Sequence, residues 1–405
     1  MRLKDVASVN LRTLDENTPG DYAFKYIDIS SVSFENGIDL GQDIVFSQAP
    51  SRARRIVKKG DVLVSTVRTY LRAIADIDWY AENVVASTGF AVFSPNDNII
   101  PRFMAFAVKS TDVINQIYAN SKGVSYPAIQ APLLAAVEIP YFDIPKQVEI
   151  AEYLDKECEK IGRNIELLER KADAYKRLRR SIINRAVTRG LNPNAPLKPS
   201  GNDWIGDIPL HWGYERVEKH FHGNTISNKN FEYTRAFKFF MGTIVPKEEN
   251  LEEEEYREVY EKYTIVEKDD IMINGLNLNY DLKSMRVGIV PYKGIITSAY
   301  VVLRPFEGVN AQFFNYLFKA FDYRKLFHGM GKGVRLTLSF NELRTFEIPV
   351  PPEEEQKEIV AYLDEKCGKI DAIIEKIDTQ IERLKELKRS LINEVVTGKR
   401  AIINI

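Results

Sequence analysis

The sequence is poor in the residues that most often support disulfides and catalysis. Its 405 residues include two cysteines and four histidines. Two cysteines cannot form a disulfide framework, so we expect a reducing, cytoplasmic location. The start of the chain, Met1-Arg2-Leu3-Lys4, has no apolar signal region. No apolar run approaches the about 18 residues of a membrane-spanning helix, and we expect no contact with a membrane.

Recognisable catalytic motifs are also missing. The sequence has no Asn-Pro-Pro-Tyr methyltransferase motif, no phosphate-binding Gly-x-x-x-x-Gly-Lys-Ser/Thr and no Gly-x-Ser-x-Gly nucleophile elbow. The histidines form no metal-binding pattern. These absences disfavour a stand-alone enzyme, and we expect no catalytic residue, bound cofactor or metal in this chain.

An excess of positive charge is lacking as well. The 56 lysines and arginines are balanced by 57 aspartates and glutamates, which leaves a net charge of -1. Sequence-independent affinity for DNA comes from cations that neutralise phosphates. The total therefore argues against strong binding of nucleic acid by the chain alone, although it is compatible with local basic patches.

What the chain does have is an internal repeat. Residues 137–191 align without a gap with residues 346–400, and roughly 22 of the 55 aligned positions are identical. The identical pairs include Gln147/Gln356, Cys158/Cys367, Ser181/Ser390, Asn184/Asn393 and Thr188/Thr397. A repeat of this length indicates two structurally equivalent segments.

Both copies have an apolar residue at every third or fourth position, which is typical of one helix face. The predicted apolar seam of the first copy comprises Ile150, Leu154, Cys158, Ile161, Ile165, Leu168, Ala172, Tyr175, Leu178, Ile182 and Ala186. That of the second comprises Ile359, Leu363, Cys367, Ile370, Ile374, Ile377, Ile381, Leu384, Leu387, Leu391 and Val395. A seam this narrow over about five heptads predicts a coiled coil. If the two helices pair antiparallel, the two cysteines lie too far apart for a disulfide.

The remaining stretches predict a mixed α/β domain before each helix. We assign residues 1–142 to a first domain, 143–190 to the first long helix, 191–210 to a linker, 211–351 to a second domain and 352–400 to the second long helix. In the first domain we predict strands at 23–29, 60–66, 87–93 and 137–140, and helices from 101 and over 112–119. The second domain repeats the first in outline, while most loops differ. The predicted fold class is therefore α+β, with two mixed α/β domains joined by two long helices in an antiparallel coiled coil with a pseudo-two-fold internal repeat.

This plan lets one polypeptide imitate a homodimer. A symmetric dimer reads two inverted half-sites because DNA has the matching symmetry. Here the two domains differ, so the two half-sites would differ in sequence. The coiled coil would set the gap between them.

Three stretches carry a resemblance to a known family: the helix entry from Val137-Glu138-Ile139-Pro140 to Tyr153-Leu154-Asp155, its second copy from Phe346-Glu347-Ile348-Pro349, and Trp204-Ile205-Gly206-Asp207-Ile208-Pro209-Leu210-His211-Trp212. The chain resembles the specificity subunit of type I restriction-modification systems over essentially its full length. The resemblance implies two target recognition domains, each reading one half of a split double-stranded DNA site. It also implies that two methyltransferase subunits dock on the helices and that motor-endonuclease subunits join the complex. S-adenosylmethionine would belong to the methyltransferase subunits, and ATP and magnesium to the motor-endonuclease subunits.

Polar and basic loops at equivalent positions of the two domains are the candidate DNA contacts. Arginine suits phosphate and guanine, asparagine suits adenine, and hydroxyl groups suit either. The candidates in the first domain are Arg52, Arg54, Arg55, Arg68, Thr69, Tyr70, Arg72, Lys122, Ser125 and Tyr126. Those in the second are Asn274, Asn277, Asn279, Lys332 and Arg335. Each stretch is also compatible with an ordinary polar surface loop.

A different class of function remains open from the residues alone. A coiled-coil adaptor could join two protein partners without touching nucleic acid. It would have no reason to place basic and asparagine-rich loops at equivalent positions of two diverged domains. The sequence therefore favours a non-catalytic DNA-recognition subunit over the adaptor.

Overall fold

The structure is a computed structural model, and it describes residues 1–34, 37–79, 82–240, 242–248, 253–280, 285–333 and 336–402, without the side chains of 253–255. The chain forms two compact units. The first comprises Met1–Arg170 and Ile377–Ile405, and the second comprises Lys171–Lys376. Each long helix therefore contributes one part to each unit.

The helices are α1 Leu3–Val6, α2 Pro101–Val108, α3 Thr111–Ala119, α4 Ala131–Ala135, α5 Ile144–Arg189, α6 Glu253–Tyr260, α7 Ala311–Tyr323, α8 Leu326–Met330, α9 Phe340–Leu343 and α10 Glu353–Val396. The strands of the first unit are β1 Ala7–Val9, β2 Ala23–Ile27, β3 Val32–Ser33, β4 Gly37–Ile38, β5 Asp43–Val45, β6 Ala53–Ile56, β7 Val62–Ser65, β8 Ile74–Asp76, β9 Val84–Ser87 and β10 Phe90–Pro95. Those of the second are β11 Leu197–Pro199, β12 Asp207–Pro209, β13 Gly213–Arg216, β14 Phe221–Gly223, β15 Phe237–Phe240, β16 Thr243–Pro246, β17 Thr264–Val266, β18 Ile271–Ile273, β19 Val287–Ile289, β20 Gly294–Ile296, β21 Val301–Pro305 and β22 Glu347–Val350.

The two long helices, α5 and α10, run antiparallel within each unit. In the first unit the beginning of α5 shares a core with the end of α10, through residues such as Leu154 and Val395. In the second unit the end of α5 shares a core with the beginning of α10, through residues such as Val187 and Leu363. The predicted antiparallel pairing is confirmed. Cys158 and Cys367 are free and buried, as expected.

The predicted seam is wrong at one equivalent position in each helix. Leu178 is 47% exposed and Leu387 is 50% exposed, whereas Ile183, outside the predicted seam, is fully buried. An α-helix has 3.6 residues per turn, so a seam with a strict seven-residue spacing drifts by about 20° per heptad on a straight helix. Toward the end of α5 the drift therefore places Ile183, rather than Ile182 of the predicted seam, in the fully buried position.

In the first unit, a four-stranded antiparallel sheet has the order β1-β10-β7-β8. Helix α2 packs on this sheet, and Phe103 and Met104 are fully buried in the shared core. A second sheet has the order β5-β2-β9-β6 and contains one parallel pair, β2 with β9. Residues 137–140 do not form the predicted strand, because only Glu138 pairs there, as an isolated bridge with Arg2.

The second unit repeats the first sheet of the first unit. Strands β14-β21-β18-β19 form an antiparallel sheet in the corresponding order. Helix α7 contributes Phe313, Phe314 and Phe318 to the core beneath it. The other strands pair two by two, as β11-β12, β13-β22, β15-β16 and β17-β20. Both units thus mix helix and antiparallel sheet, and the α+β class is confirmed.

The connection from α5 into the second unit is ordered by hydrogen bonds. Residues 191–210, which we predict as a linker, contain the hairpin of β11 and β12. The buried Trp212 donates from Nε1 to Oε2 of Glu355 on α10 at 2.9 Å. His211 lies 2.8 Å from the same oxygen. No helix in the described residues is both long and apolar enough to span a bilayer.

Candidate nucleic-acid interface

Two loops of the first unit, residues 66–72 and 121–128, come together and are called the first loop pair. The first of these loops leaves the sheet directly after β7. Val67 and Ala128 form an isolated bridge between the loops. The backbone N–H of Ile129 donates to the carbonyl of Thr66 at 2.8 Å. The structure therefore brings together candidates that are more than fifty positions apart in the sequence.

Exposed aromatic and basic side chains cover the first loop pair. The guanidinium of Arg68 lies 5.1 Å from the centre of the Tyr126 ring, and Tyr126 is 66% exposed. Tyr70, Lys122 and Ser125 are exposed as well. Cation–π contact holds the guanidinium in place while leaving its N–H groups available. This surface can offer hydrogen-bond donors and stacking rings to a nucleic acid.

Two candidates of the first loop pair have internal partners. Thr69 is 4% exposed, and its hydroxyl lies 3.1 Å from the hydroxyl of Ser121. Arg72 donates from Nε to the hydroxyl of Tyr118 at 2.8 Å. Both side chains bond to residues in or next to the second loop, so their contacts favour a role in holding the two loops together rather than in contacting DNA.

The basic cluster at β6 divides into two groups. The carbonyl of Arg52 accepts from the Thr88 N–H at 2.8 Å, and the carbonyl of neighbouring Gly89 accepts from Thr66 N–H at 2.8 Å. Arg52 is exposed, and its main chain is linked to Thr66 of the first loop pair only through Thr88 and Gly89. Arg54 instead lies over the Phe46 ring at 4.9 Å, and Arg55 donates to Thr13 Oγ1 at 3.3 Å. Neither Arg54 nor Arg55 is held by the loop pair.

The second unit has an equivalent arrangement, residues 274–280 with 331–333 and 336–338, called the second loop pair. The N–H of Leu338 donates to the carbonyl of Gly275 at 2.9 Å. A Cβ on Gly275 would lie 2.5 Å from the Leu338 oxygen, so only glycine fits. Asn277 has φ 50°, the same left-handed value as Arg68 at the equivalent position of the first unit. The two units therefore share one backbone design that carries different side chains.

Arg286 holds the second loop pair and is absent from the sequence-based candidates. Its Nη1 donates to the carbonyls of Asn274 at 2.9 Å and Leu276 at 2.7 Å. Its Nη2 donates to the carbonyl of Asn277 at 3.3 Å. No motif in the sequence marks this role, because the arginine bonds main-chain carbonyls, which any residue can supply.

The asparagines of this loop differ in availability. Asn274 is half-buried, and its Oδ1 accepts from the N–H of Leu276 at 3.2 Å. Asn277 and Asn279 are exposed. Tyr280, which the sequence analysis misses, is 74% exposed beside them. Its equivalence in the repeat to Leu71, which lies inside the candidate loop of the first unit, was the signal that the sequence offered.

Lys332 is tied into the second loop pair by a carboxylate. Its Nζ lies 3.1 Å from Oε1 of Glu342. The Ser339 hydroxyl donates to Glu342, and together with Lys332 it lowers the pKa of that carboxyl to about 2. Arg335 lies outside the described residues. Among the described residues, no group of three or more histidine, cysteine, aspartate or glutamate side chains could hold a metal ion.

Fold and loops together define a protein class: a duplicated α+β domain on antiparallel long helices, with a polar loop pair at the same place in each copy. Residues 1–171 and 220–383 match the family described as type I restriction modification DNA specificity domain. The chain belongs to this family. Its members supply DNA specificity rather than catalysis, and the adaptor alternative is not favoured.

Individual relatives agree with this assignment. The chain is 24% identical to a protein of Methanocaldococcus jannaschii described as the MjaX specificity subunit of a type I restriction enzyme, over 84% of this chain and 78% of that one. It is 20% identical to the MjaVIII specificity subunit of the same organism, over 80% and 76%. A solved chain from work on complex assembly and conformational transition of the type I R-M system has the same fold, with a TM-score of 0.68, 21% identity and coverage of 99% and 97%.

Proposed function

We propose that each unit reads one half of a split, asymmetric DNA site, with its loop pair as the reading surface. The observation that supports this most is the equivalence of the two loop pairs. Arg68 and Asn277 occupy the same left-handed turn in the two units. Arginine favours guanine and asparagine favours adenine. Two like surfaces with unlike side chains suit two unlike half-sites.

Partners would supply the chemistry. We propose that two methyltransferase subunits holding S-adenosylmethionine dock on α5 and α10, and that motor-endonuclease subunits using ATP and magnesium join them in the cytoplasm. The target atom of a paired base is not accessible inside the stack, so the methyltransferase would flip it out. This chain would contribute recognition and positioning only.

The test uses the complex reconstituted with methyltransferase subunits and its mapped DNA site. Arg68→Ala should weaken recognition of one half-site by about 1–3 kcal/mol, or roughly 5- to 150-fold, and relax base preference there. Asn277→Ala should do the same at the other half-site. Binding is measured on duplexes that carry substitutions in one half-site at a time.

Arg257→Ala is the matched control, because Arg257 is an exposed residue of α6, outside both long helices and both loop pairs, and pairs with the nearby Glu261. It should leave both half-sites unchanged. An effect of Arg68→Ala and Asn277→Ala on the same half-site, or on neither, would refute one reader per half-site.

Charge predicts a second outcome. With a net charge of -1, the chain alone has no excess of cations to neutralise phosphates. We expect the isolated chain to bind its target weakly and with strong dependence on salt, and to gain affinity with the methyltransferase subunits. Tight, specific binding by the chain alone at moderate salt would contradict this.

A further inference from the structure

A cavity of about 540 Å³ lies in the second unit at the end of α5. Three arginines, Arg185, Arg189 and Arg324, line it together with Ser181 and Asn184. Its described lining contains no aspartate or glutamate. The volume falls within the about 300–1,000 Å³ of small-molecule sites. The cavity is therefore large enough for a small anion, and the arginines that line it carry the opposite charge.

Two features of the surroundings could account for these arginines without a ligand. The carboxyl end of a helix carries about half a negative charge, which one arginine more than offsets. Glu355 approaches Gly190, but its carboxylate already accepts hydrogen bonds from Trp212 and His211. Neither feature balances three guanidiniums.

The equivalent end of α10 in the first unit shows the contrast. Glu394 stands where the second unit has Arg185, and it accepts from the Ser390 hydroxyl at 2.8 Å. Asn393, equivalent to Asn184, accepts from the N–H of Thr111 at 2.9 Å. In the first unit, protein groups thus satisfy the repeated serine and asparagine.

In the second unit the equivalent asparagine is not satisfied in this way. The Oδ1 of Asn184 is buried and has no hydrogen-bond partner among the described residues. A buried acceptor without a donor costs about 1–3 kcal/mol, which a ligand hydroxyl could recover. The second repeat thus has a basic helix end with an unsatisfied buried acceptor, where the first unit has an acidic helix end with satisfied groups.

We propose that this cavity binds a small phosphate-bearing molecule that carries a hydroxyl group. The guanidiniums would hold the phosphate by paired N–H donors, the geometry that arginine offers to phosphate. The hydroxyl would donate to Oδ1 of Asn184 once that buried side chain turns toward the cavity. A DNA backbone phosphate fits less well, since a phosphodiester carries one charge and deoxyribose within a strand has no free hydroxyl. The proposal concerns a site apart from both loop pairs and does not depend on DNA reading.

Calorimetric titration of the full chain with glycerol 3-phosphate tests it. We expect saturable binding, weaker binding of inorganic phosphate, and none of glycerol. Arg185→Glu, which installs the residue type of the other repeat, should weaken binding at least about tenfold. Asn184→Ala should remove most of the preference for glycerol 3-phosphate over inorganic phosphate and retain phosphate binding.

Lys399→Glu is the control, since it makes the same change of charge at an exposed position just beyond the end of α10. It should bind like the wild type, and circular dichroism melts would verify that each variant is folded. Absence of saturable binding, or equal loss in Arg185→Glu and Lys399→Glu, would overturn the proposal. Competition by a random-sequence duplex would also overturn it, because the site would then belong to backbone phosphate.

Discussion

At the scale of single residues, one buried glutamine fastens the start of α5 to the first unit. The Oε1 of Gln147 accepts from the N–H of Ile100 at 2.8 Å. Its Nε2 donates to the carbonyls of Phe142 at 2.7 Å and Asn98 at 3.2 Å. The equivalent Gln356 makes one such bond, to the carbonyl of Pro351 at 2.9 Å. The same residue type therefore makes three side-chain hydrogen bonds in the first repeat and one in the second.

We predict that Gln147→Ala lowers the free energy of unfolding of the first unit by about 2–4 kcal/mol, because it leaves buried main-chain groups without partners. Gln356→Ala, the matched change, should cost about 1 kcal/mol in the second unit. Denaturant unfolding with a fluorescent probe in each unit measures both. Equal losses would show that the hydrogen bonds do not set the cost.

Lys109 is another residue with a measurable consequence. Desolvation lowers the pKa of its ammonium to about 8, with repulsion from Arg102 and Lys388 adding to the effect and Asp76 opposing it. The ordinary pKa of lysine is about 10.4. Between pH 8 and 10.4 the unfolded chain thus binds more protons than the folded chain, so this residue makes stability rise with pH in that window. Below pH 8 its buried charge opposes folding.

Lys109→Met should therefore raise the free energy of unfolding at pH 7 by about 1–3 kcal/mol. The gain should fade between pH 8 and 10.4 as the wild-type lysine becomes neutral in both states. Denaturant unfolding at several pH values, compared with Lys4→Met at an exposed site, isolates the effect. A gain that does not change with pH would contradict the burial argument.

At the scale of residues, the sequence predicted which loops carry exposed polar side chains better than it predicted which side chains hold those loops in place. Arg68 and Tyr70 are exposed in a loop directly after a buried strand, which is a common place for exposed polar residues. The pairing of that loop with residues 121–128 is a tertiary contact. The sequence did not show which of these side chains are buried and which hold a loop. Thr69 is buried, and Arg286 holds a loop through main-chain carbonyls. Contacts of that kind depend on tertiary structure and leave no local pattern.

At the scale of elements, the long helices were the most predictable part, because their repeat and apolar spacing both pointed to the same structure. The exposed Leu178 and Leu387 show the limit of that reasoning. Spacing identifies a helix face, but the partner surface decides which edge of the face is buried. The divergent strand pairs of the second unit had no comparable periodic signal.

This difference between seam positions gives a direct test. Leu154→Ala should destabilise the first unit by about 2–5 kcal/mol, because the side chain is fully buried. Leu178→Ala, the same substitution on the same helix, should change stability by less than about 0.5 kcal/mol. Thermal and denaturant unfolding measure both variants. A large cost at Leu178 would mean that its exposed side chain is covered in solution.

At the scale of the whole molecule, the proposed function makes α5 and α10 a ruler. Inserting about four residues into both helices, between Arg170 and Lys171 and between Lys376 and Ile377, would lengthen each by roughly 6 Å. The gap in the recognised DNA site should then grow by one or two base pairs, at about 3.4 Å each. Mapping of methylated sites measures the gap.

Insertion into one helix only is the control, and it should impair folding since the paired faces no longer match. If methylation by the doubly lengthened protein kept the original gap, the helices would not set the spacing. The two half-sites would then be positioned by other parts of the complex.

The division of the chain into units also bears on how the protein is made. The first unit needs Leu391, Ile392, Val395 and Val396 to complete its core, yet more than two hundred residues separate them from Arg170. The ribosome therefore synthesises the whole second unit, which is one continuous stretch, before the core of the first unit can be completed. During synthesis the apolar core surface of the first unit stays exposed until the end of α10 has been made. A chain that stops before Ile377 should therefore contain a folded second unit and an incomplete first unit that chaperones and proteases can reach.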